Sequence, residues 1–487
     1  MDLTGQTLSI NIEEATTAHI PSNPLEVTLE NLLRDLPGRR QVWRAHCRGT
    51  QALPPLLIKR YRPHSHQERD RQREWTSLKK LYALGLTLPP PLFTGQEADG
   101  TTIVALRYIK DARTLRGSLF DNSPEAASKP QRAHLFRRLL EALGVQHQAG
   151  VWQSDPHLEN FLWQPPNLYA LDAAGFRFQH HHRTKTLGLN HSTRVHNLAQ
   201  VFIQVPYTYE SELWDAIPAY LQHHPHLSVT RLSQSLRRRL PHHRKRRLIR
   251  YLKKTQRSCS AFEYSHFHNR HLLCDRKLPT TLKTHLCRDP DNLIAQGKII
   301  KNGTTATVAE IHSEDGQTYI LKRYNPKPVS YRLSHICTHS RARRSWMNGN
   351  AWRLLGLPTP RPWACLEEKQ GPFTVRSFLL TAKDTGKTLL EFARQHQHHP
   401  QTLYATAVAF THVWHAWRAL RAVHGDLKAT NILVDPQGQP SFIDLDSFHF
   451  FLPPLLYRAR LKKDLQRFMQ NWHNNPAVAA IFSKALF

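Results

Sequence analysis

Acidic residues are scarce in this chain. There are 37 Asp and Glu against 67 Lys and Arg, a formal net charge of +30 over 487 residues. Such an imbalance disfavours sites that select cationic small molecules and draws the chain toward anions, whether nucleic acid, anionic lipid or phosphorylated glycolipid. No uninterrupted apolar run reaches 18 residues, so no spanning helix is expected. Six cysteines at scattered positions make no disulfide framework. The opening MDLTGQTLSINIEEATT has no basic stretch followed by an apolar one, so a secretory signal is not expected and the cytoplasm is the expected compartment. Glycine is sparse, and no GxxxxGK[ST] segment exists, which argues against a P-loop enzyme. Finger spacings and aromatic stacking motifs are missing too, so no specific nucleic-acid reader is expected.

What is present is enough apolar sequence, 40%, to fill more than one core at this length. Helical patterns in RAHLFRRLLEALGVQHQAG and LYATAVAFTHVWHAWRALRA carry apolar residues at three- and four-residue spacing. The chain also repeats itself. PPLLIKRYRP with Lys59 returns as TYILKRYNPKP with Lys322, and ALGLTLPPPLF returns as LLGLPTPRPWA. WQSDPHLENFLW and VHGDLKATNILVD each place an asparagine five residues after an aspartate, Asp155 to Asn160 and Asp426 to Asn431. LYALDAAG and PSFIDLDS then supply Asp172 and Asp444, 12 and 13 residues beyond those asparagines. Two ordered series of this kind mark a duplication. Each half runs from strands to helices, which predicts an α+β fold with a small sheet-rich lobe and a larger helical lobe, twice.

The second series suits chemistry on a phosphate. A magnesium ion takes hard oxygen ligands, here the Asp444 carboxylate and the Asn431 amide oxygen. Lys322, on a strand, is placed to hold phosphates. Asp426 is placed to align an incoming hydroxyl and take its proton, and Lys428 to offset charge on the transferring group. Gly303, in KNGTTATVAEI, is a candidate for a turn over the phosphates. The first half repeats the set as Lys59, Asp155, Asn160 and Asp172, and adds Glu74 on the following helix as a partner for Lys59. His157 stands in the place of Lys428, and Gln153-Ser154 in that of His424-Gly425, which leaves the activity of this half open. The second half has no acid on its helix RARRSWMNGNAWRLLG, so Lys322 is expected to be oriented by Glu367, Glu368 or the phosphates themselves.

Two other clusters invite functional readings. Residues 231–257 hold 12 Lys or Arg and no acid, and Pro241 is expected to split them into two helical pieces. With Leu236, Leu240, Leu248, Ile249 and Leu252 they suit either a solvated linker or a surface adsorbed to anionic lipid. Cys259, Cys274, His285 and Cys287 do not match a common zinc spacing, and the histidine clusters HHPH and FQHHH lack a clear partner set.

HGDLKATNILVD with FIDLDS resembles the catalytic loop and metal aspartate of the protein-kinase-like superfamily. With SRARRSWMNGNAWRLLGLPTPRPWACLEE and LKKDLQRFMQNW, it is similar to the bacterial lipopolysaccharide core (Kdo or heptose) kinases, over about residues 295–480. The first half resembles the same group through IKRY, GVWQSDPHLENFLW and LDAAGFRF. The resemblance implies two tandem kinase-like domains, ATP and Mg²⁺ as cofactors, a sugar of the lipopolysaccharide core as acceptor, and work at the cytoplasmic face of the inner membrane, in peripheral contact with anionic lipid. The expected division is an N-terminal extension at 1–27, a first kinase-like domain at 28–230, a basic linker at 231–289 and a catalytic domain at 290–487. A pseudokinase-type scaffold for an anionic glycolipid or a partner protein, and a small-molecule kinase, are the alternatives.

Overall fold

A computed structural model describes residues 3–16, 20, 23–48, 53–121, 127–179, 188–314, 316–325, 339–371 and 373–486. His180, His181 and His182 of the FQHHH cluster lie outside the described residues. The chain divides into two compact units, one of residues 1–204 and 210–240, the other of 205–209 and 241–487. Each is a mixed α+β unit in which a sheet precedes most of the helices.

In the first unit six strands close into a barrel. These are β1 (Thr7–Ala15), β2 (Leu25–Leu36), β3 (Arg40–Cys47), β4 (Leu56–Tyr61), β5 (Pro91–Glu97) and β6 (Thr102–Arg107). Within the stretch expected as an N-terminal extension, β1 pairs with both β2 and β5 and completes the barrel. Its period-two pattern explains why, since Leu8 and Ile10 point into the core beside Val27, Trp43, Ile58 and Phe93. Gly95 permits the closure, because any Cβ there would run into the backbone carbonyl of Asn11. Helix α1 (Gln67–Ala83) buries Trp75, Leu78 and Leu81, and α2 (Lys129–Gln148) buries Leu135, Phe136, Leu139, Leu140 and Leu143. A capping box at Ser128 and Gln131 starts α2. After the loop of Asp155 and Asn160 come the short paired strands Phe161–Gln164 and Asn167–Ala170, then α3 (His191–Phe202).

Helix α4 (Val229–Lys254) runs through Pro241 instead of breaking there. Leu232, Leu236, Leu240 and Leu248 are each at most 2% exposed, and this packing outweighs the proline's missing hydrogen bond. The same burial removes the leucines from any adsorbing face. Of the apolar residues named for it, Ile249 stays exposed.

The second unit builds a seven-stranded sheet. Its strands are β7 (Phe262–Phe267), β8 (Arg270–Asp275), β9 (Lys298–Asn302), β10 (Ala306–His312), β11 (Thr318–Tyr324), β12 (Pro362–Gln370) and β13 (Phe373–Ala382), in the order β7-β8-β12-β13-β11-β10-β9. Part of the segment expected as linker, β7 and β8, thus belongs to this sheet, since β8 pairs with β12. Helix α5 (Arg341–Leu355) is capped by Ser340 and closed by left-handed Gly356. Beyond it, α6 (Pro400–Leu420), α7 (Pro454–Gln470) and α8 (Pro476–Leu486) enclose an aromatic core. There Trp352 meets Trp417 at 5.6 Å, Phe410 stacks on Phe468 at 5.2 Å, and Trp472 stacks on Phe482 at 5.3 Å.

Candidate active site

The register of the central strands fixes the two lysines alike. Lys322 on β11 lies opposite Val308 on β10 and Leu379 on β13, and Lys59 on β4 lies opposite Val42 and Val104. In the second unit a cavity of about 570 Å³ opens beneath that strand. Lys322, Asn431 and Asp444 line its polar end, and Val308, Ile320, Leu433 and Ile443 its apolar slot.

Lys322 Nζ lies 2.7 Å from Asp444 Oδ1. Burial pushes the Asp444 carboxyl up, but the Lys322 ammonium, with Arg341 adding to it, holds it below its ordinary range. Asp444 itself adopts a left-handed conformation (φ 60°), as Asp172 does in the first unit (φ 58°). Neither Glu367 nor Glu368 orients Lys322. Glu367 pairs with Arg343 at 3.4 Å, and Glu368 pairs with Arg270 and Arg376. Where α1 carries Glu74, 11 residues before Gly85, α5 carries Ser345, 11 residues before Gly356. Ser345 Oγ hydrogen-bonds the Tyr324 hydroxyl at 2.9 Å.

Asp426 sits at the mouth of its loop between two cations. Lys428 Nζ is 3.1 Å and Arg467 Nε 3.0 Å from its Oδ1. Asn431 Nδ2 donates to the Asp426 carbonyl at 2.9 Å and to Oδ2 at 3.3 Å. With its amide nitrogen so engaged, Asn431 has its oxygen to offer the cavity.

The loop is braced from below by Asp464, a residue to which the sequence assigns no role. Its buried carboxylate accepts the backbone N–H of His424 at 2.7 Å and that of Gly425 at 3.1 Å. Burial pushes the Asp464 carboxyl up despite these donors. His424 is fully buried, kept toward its neutral form by desolvation, and its Nε2 hydrogen-bonds the Ile443 carbonyl at 3.2 Å. Gly425 has φ +80°, and a Cβ there would stand 2.5 Å from the Ser447 carbonyl oxygen. Asp446, also without an assigned role, binds Arg341.

Gly303 is not brought to this site. It lies in the β9–β10 turn with ordinary φ, where a Cβ would meet nothing closer than 3.4 Å, and Ile300 and Lys301 line the cavity instead. Among the described residues no three of His, Cys, Asp and Glu cluster as metal ligands. The site thus offers a dication one carboxylate and one amide oxygen. This fits Mg²⁺, which keeps several waters and shares the rest of its shell with phosphate oxygens. A lysine, an apolar slot and this oxygen pair fit a magnesium nucleotide.

Residues 295–479 match the lipopolysaccharide kinase (Kdo/WaaP) family. The matched segment holds Lys322, Asp426, Asn431 and Asp444. Among solved structures the chain is similar to WaaP in complex with acyl carrier protein, at 17% identity and TM-score 0.31, over 45% of this chain and 88% of that one. It is also similar to the yeast RNA Pol II CTD kinase CTDK-1 complex, at 18% identity and TM-score 0.26, over 35% of this chain and 51% of that one. No curated protein matches the chain. The kinase family implies ATP, ordinarily with Mg²⁺.

In the first unit a cavity of about 1000 Å³ is lined by Lys59, Glu74, Asp155, His157, Asn160 and Asp172, among others. Lys59 forms a close ion pair with Glu74, which is wholly buried and also accepts the Ala174 N–H at 3.0 Å. Burial pushes Glu74 up, and Lys59, with Arg40 and the Ala174 N–H, brings it below its ordinary range. Asn160 reaches the Asp155 backbone carbonyl at 3.2 Å.

Proposed function

We propose that the second unit catalyses ATP-dependent phosphorylation of a sugar hydroxyl, on Kdo or heptose, in the inner core of lipopolysaccharide. What carries the reading is the convergence of Lys322, Asp444 and Asn431 on one cavity, with Asp426 hydrogen-bonded to Asn431, in a segment that matches the lipopolysaccharide kinase family. A magnesium nucleotide, when bound, supplies the transferable phosphoryl group and a dication that offsets its charge.

The chain's own residues do the rest. Lys322 and Asp444, now paired, are the cation and anion that face a polyphosphate and its metal. Asn431 adds its oxygen to that of Asp444, and its amide nitrogen ties the metal end of the loop to Asp426. Asp426 aligns the acceptor hydroxyl and receives its proton, with its carboxylate direction fixed by Lys428 and Arg467. The two cations also leave positive charge where an anionic acceptor arrives. Val308, Leu433 and Ile443 exclude water from the apolar end. The strongly basic chain suits an anionic glycolipid at the cytoplasmic face of the inner membrane. No helix among the described residues is long and apolar enough to cross a membrane.

The test is transfer of radiolabelled phosphate from ATP to purified lipopolysaccharide core, with mass spectrometry locating the new phosphate. A chain that binds ATP yet labels no core sugar offered ends the proposal.

A further inference from the structure

The family match begins at residue 295 and leaves the first unit unassigned. Its cavity nevertheless reproduces the second unit's position by position. Val42 stands where Val308 does, Leu57 where Ile320 does, Leu162 where Leu433 does and Leu171 where Ile443 does, so an apolar slot of the same construction is present. Lys59, Asn160 and Asp172 stand at its polar end. Lys59 is already held extended by a fully buried acid, a brace the second unit lacks at Ser345.

A cation at one matched position distinguishes the two. Opposite Tyr61 the first unit carries Arg40, where the second has Ala306 opposite Tyr324. Arg40 lines the cavity, and its Nε is buried with no hydrogen-bond partner. An extra guanidinium beside Lys59 favours a polyanion.

The transfer end is built differently. Asp426 is clamped by Lys428, Arg467 and Asn431, whereas Asp155 is exposed and Asn160 touches its backbone carbonyl. His157 replaces Lys428. The brace under the loop has changed polarity: Asn197 donates its amide to the Gln153 carbonyl at 2.7 Å, where Asp464 accepts two backbone N–H groups. Ser154, in place of Gly425, is tied by its hydroxyl to the Gly175 carbonyl at 2.8 Å. Among the described residues no hydrogen bond or ion pair holds the Asp155 carboxylate as Asp426 is held.

We propose that the first unit holds a nucleoside polyphosphate of its own, in the cavity of Arg40, Lys59, Asn160 and Asp172, and binds it without transferring its phosphoryl group. The proposal is independent of the acceptor assigned to the second unit.

Calorimetric titration of the full chain with ATP and MgCl₂ tests it. Two nucleotides per chain are expected, one in Lys322→Met and one in Arg40→Ala. Asp172→Asn, a change at an exposed position, repeats the Arg40→Ala result should that variant fold poorly. Asp426→Asn is expected to keep both nucleotides and lose turnover. A single nucleotide, lost in Lys322→Met and kept in Arg40→Ala and Asp172→Asn, overturns the site. Turnover that survives Asp426→Asn and disappears in Asp155→Asn overturns the claim of storage without transfer. Should the second unit bind nothing, the remaining nucleotide is insensitive to Lys322→Met and lost in Arg40→Ala, which supports the first-unit site and sinks the other.

Discussion

Replacing Gly425 by alanine separates loop placement from nucleotide binding. The residue precedes Asp426, has φ +80° and sends its N–H to Asp464. A Cβ there has two costs. The left-handed backbone costs about 1–2 kcal/mol for a side chain that is not glycine. The Cβ would also sit 2.5 Å from the Ser447 carbonyl oxygen, so the two must part by about 1 Å to reach ordinary contact. The first cost is a matter of stability, a fall in Tm of roughly 2–8 °C for a unit of this size. The second is a matter of catalysis. The yielding element is the loop, and it carries Asp426. A displacement of about 1 Å at a reacting group costs on the order of 10²-fold in kcat. Gly425 does not line the nucleotide cavity, so affinity for Mg·ATP should stay within about twofold. Steady-state transfer to lipopolysaccharide core gives kcat, calorimetry gives the affinity, and circular dichroism confirms the fold. A folded variant with wild-type kcat refutes the placement argument.

Asp426→Asn and Asp444→Asn should each lower kcat roughly 10³-fold. Asp444→Asn alone should also weaken Mg²⁺-dependent nucleotide binding, and equal affinities in the two variants would contradict the division of roles. Lys59→Met leaves Glu74 buried without its cation, a loss of about 3–5 kcal/mol visible as a lower urea midpoint; an unchanged midpoint counts against a buried charge there. His147 is fully buried between Tyr220 and Asn197, and burial pulls it down to about 3. A histidine that stays neutral when folded but takes a proton when unfolded confers stability above its unfolded pKa near 6.5, and that stability is lost as pH falls. Between pH 7.5 and 5.5 the loss is about 1.4 kcal/mol. Urea titrations at both pH values should show it in the wild type and not in His147→Gln; the same pH dependence in both would remove His147 as the cause.

The site is legible in sequence where its geometry is local. Asp426 and Asn431 face each other because five residues of loop bring them round, and Asp444 follows two short strands later, so order and spacing carry the arrangement. Asp464 is some 40 residues from the N–H groups it holds, and nothing near it marks a buried carboxylate. Arg467, three residues on, reads as one surface arginine among many and stands instead 3.0 Å from Asp426. Ser345 had a signal, since counting back from the helix-closing glycine aligns it with Glu74. Glu367 and Glu368 are drawn away from Lys322 by arginines on neighbouring strands, pairings that only the sheet order reveals. The first strand was also there to be read. Leu8, Ile10 and Ile12 alternate with polar residues, but alternation does not say which strands it will join, and barrel closure is a long-range event.

That closure has a bearing on solubility. A barrel has no outermost strand, so the sheet of the first unit offers no row of open backbone groups to another chain. The seven-stranded sheet of the second unit ends in two such rows, β7 and β9. β9 is exposed along its length, with Ile299 and Ile300 between Lys298 and Lys301. Lys298 and Lys301 place charge beside those isoleucines, as edge strands commonly do, and Phe267 and Tyr264 are exposed on β7, so the open edges of this sheet are where strand could add to strand.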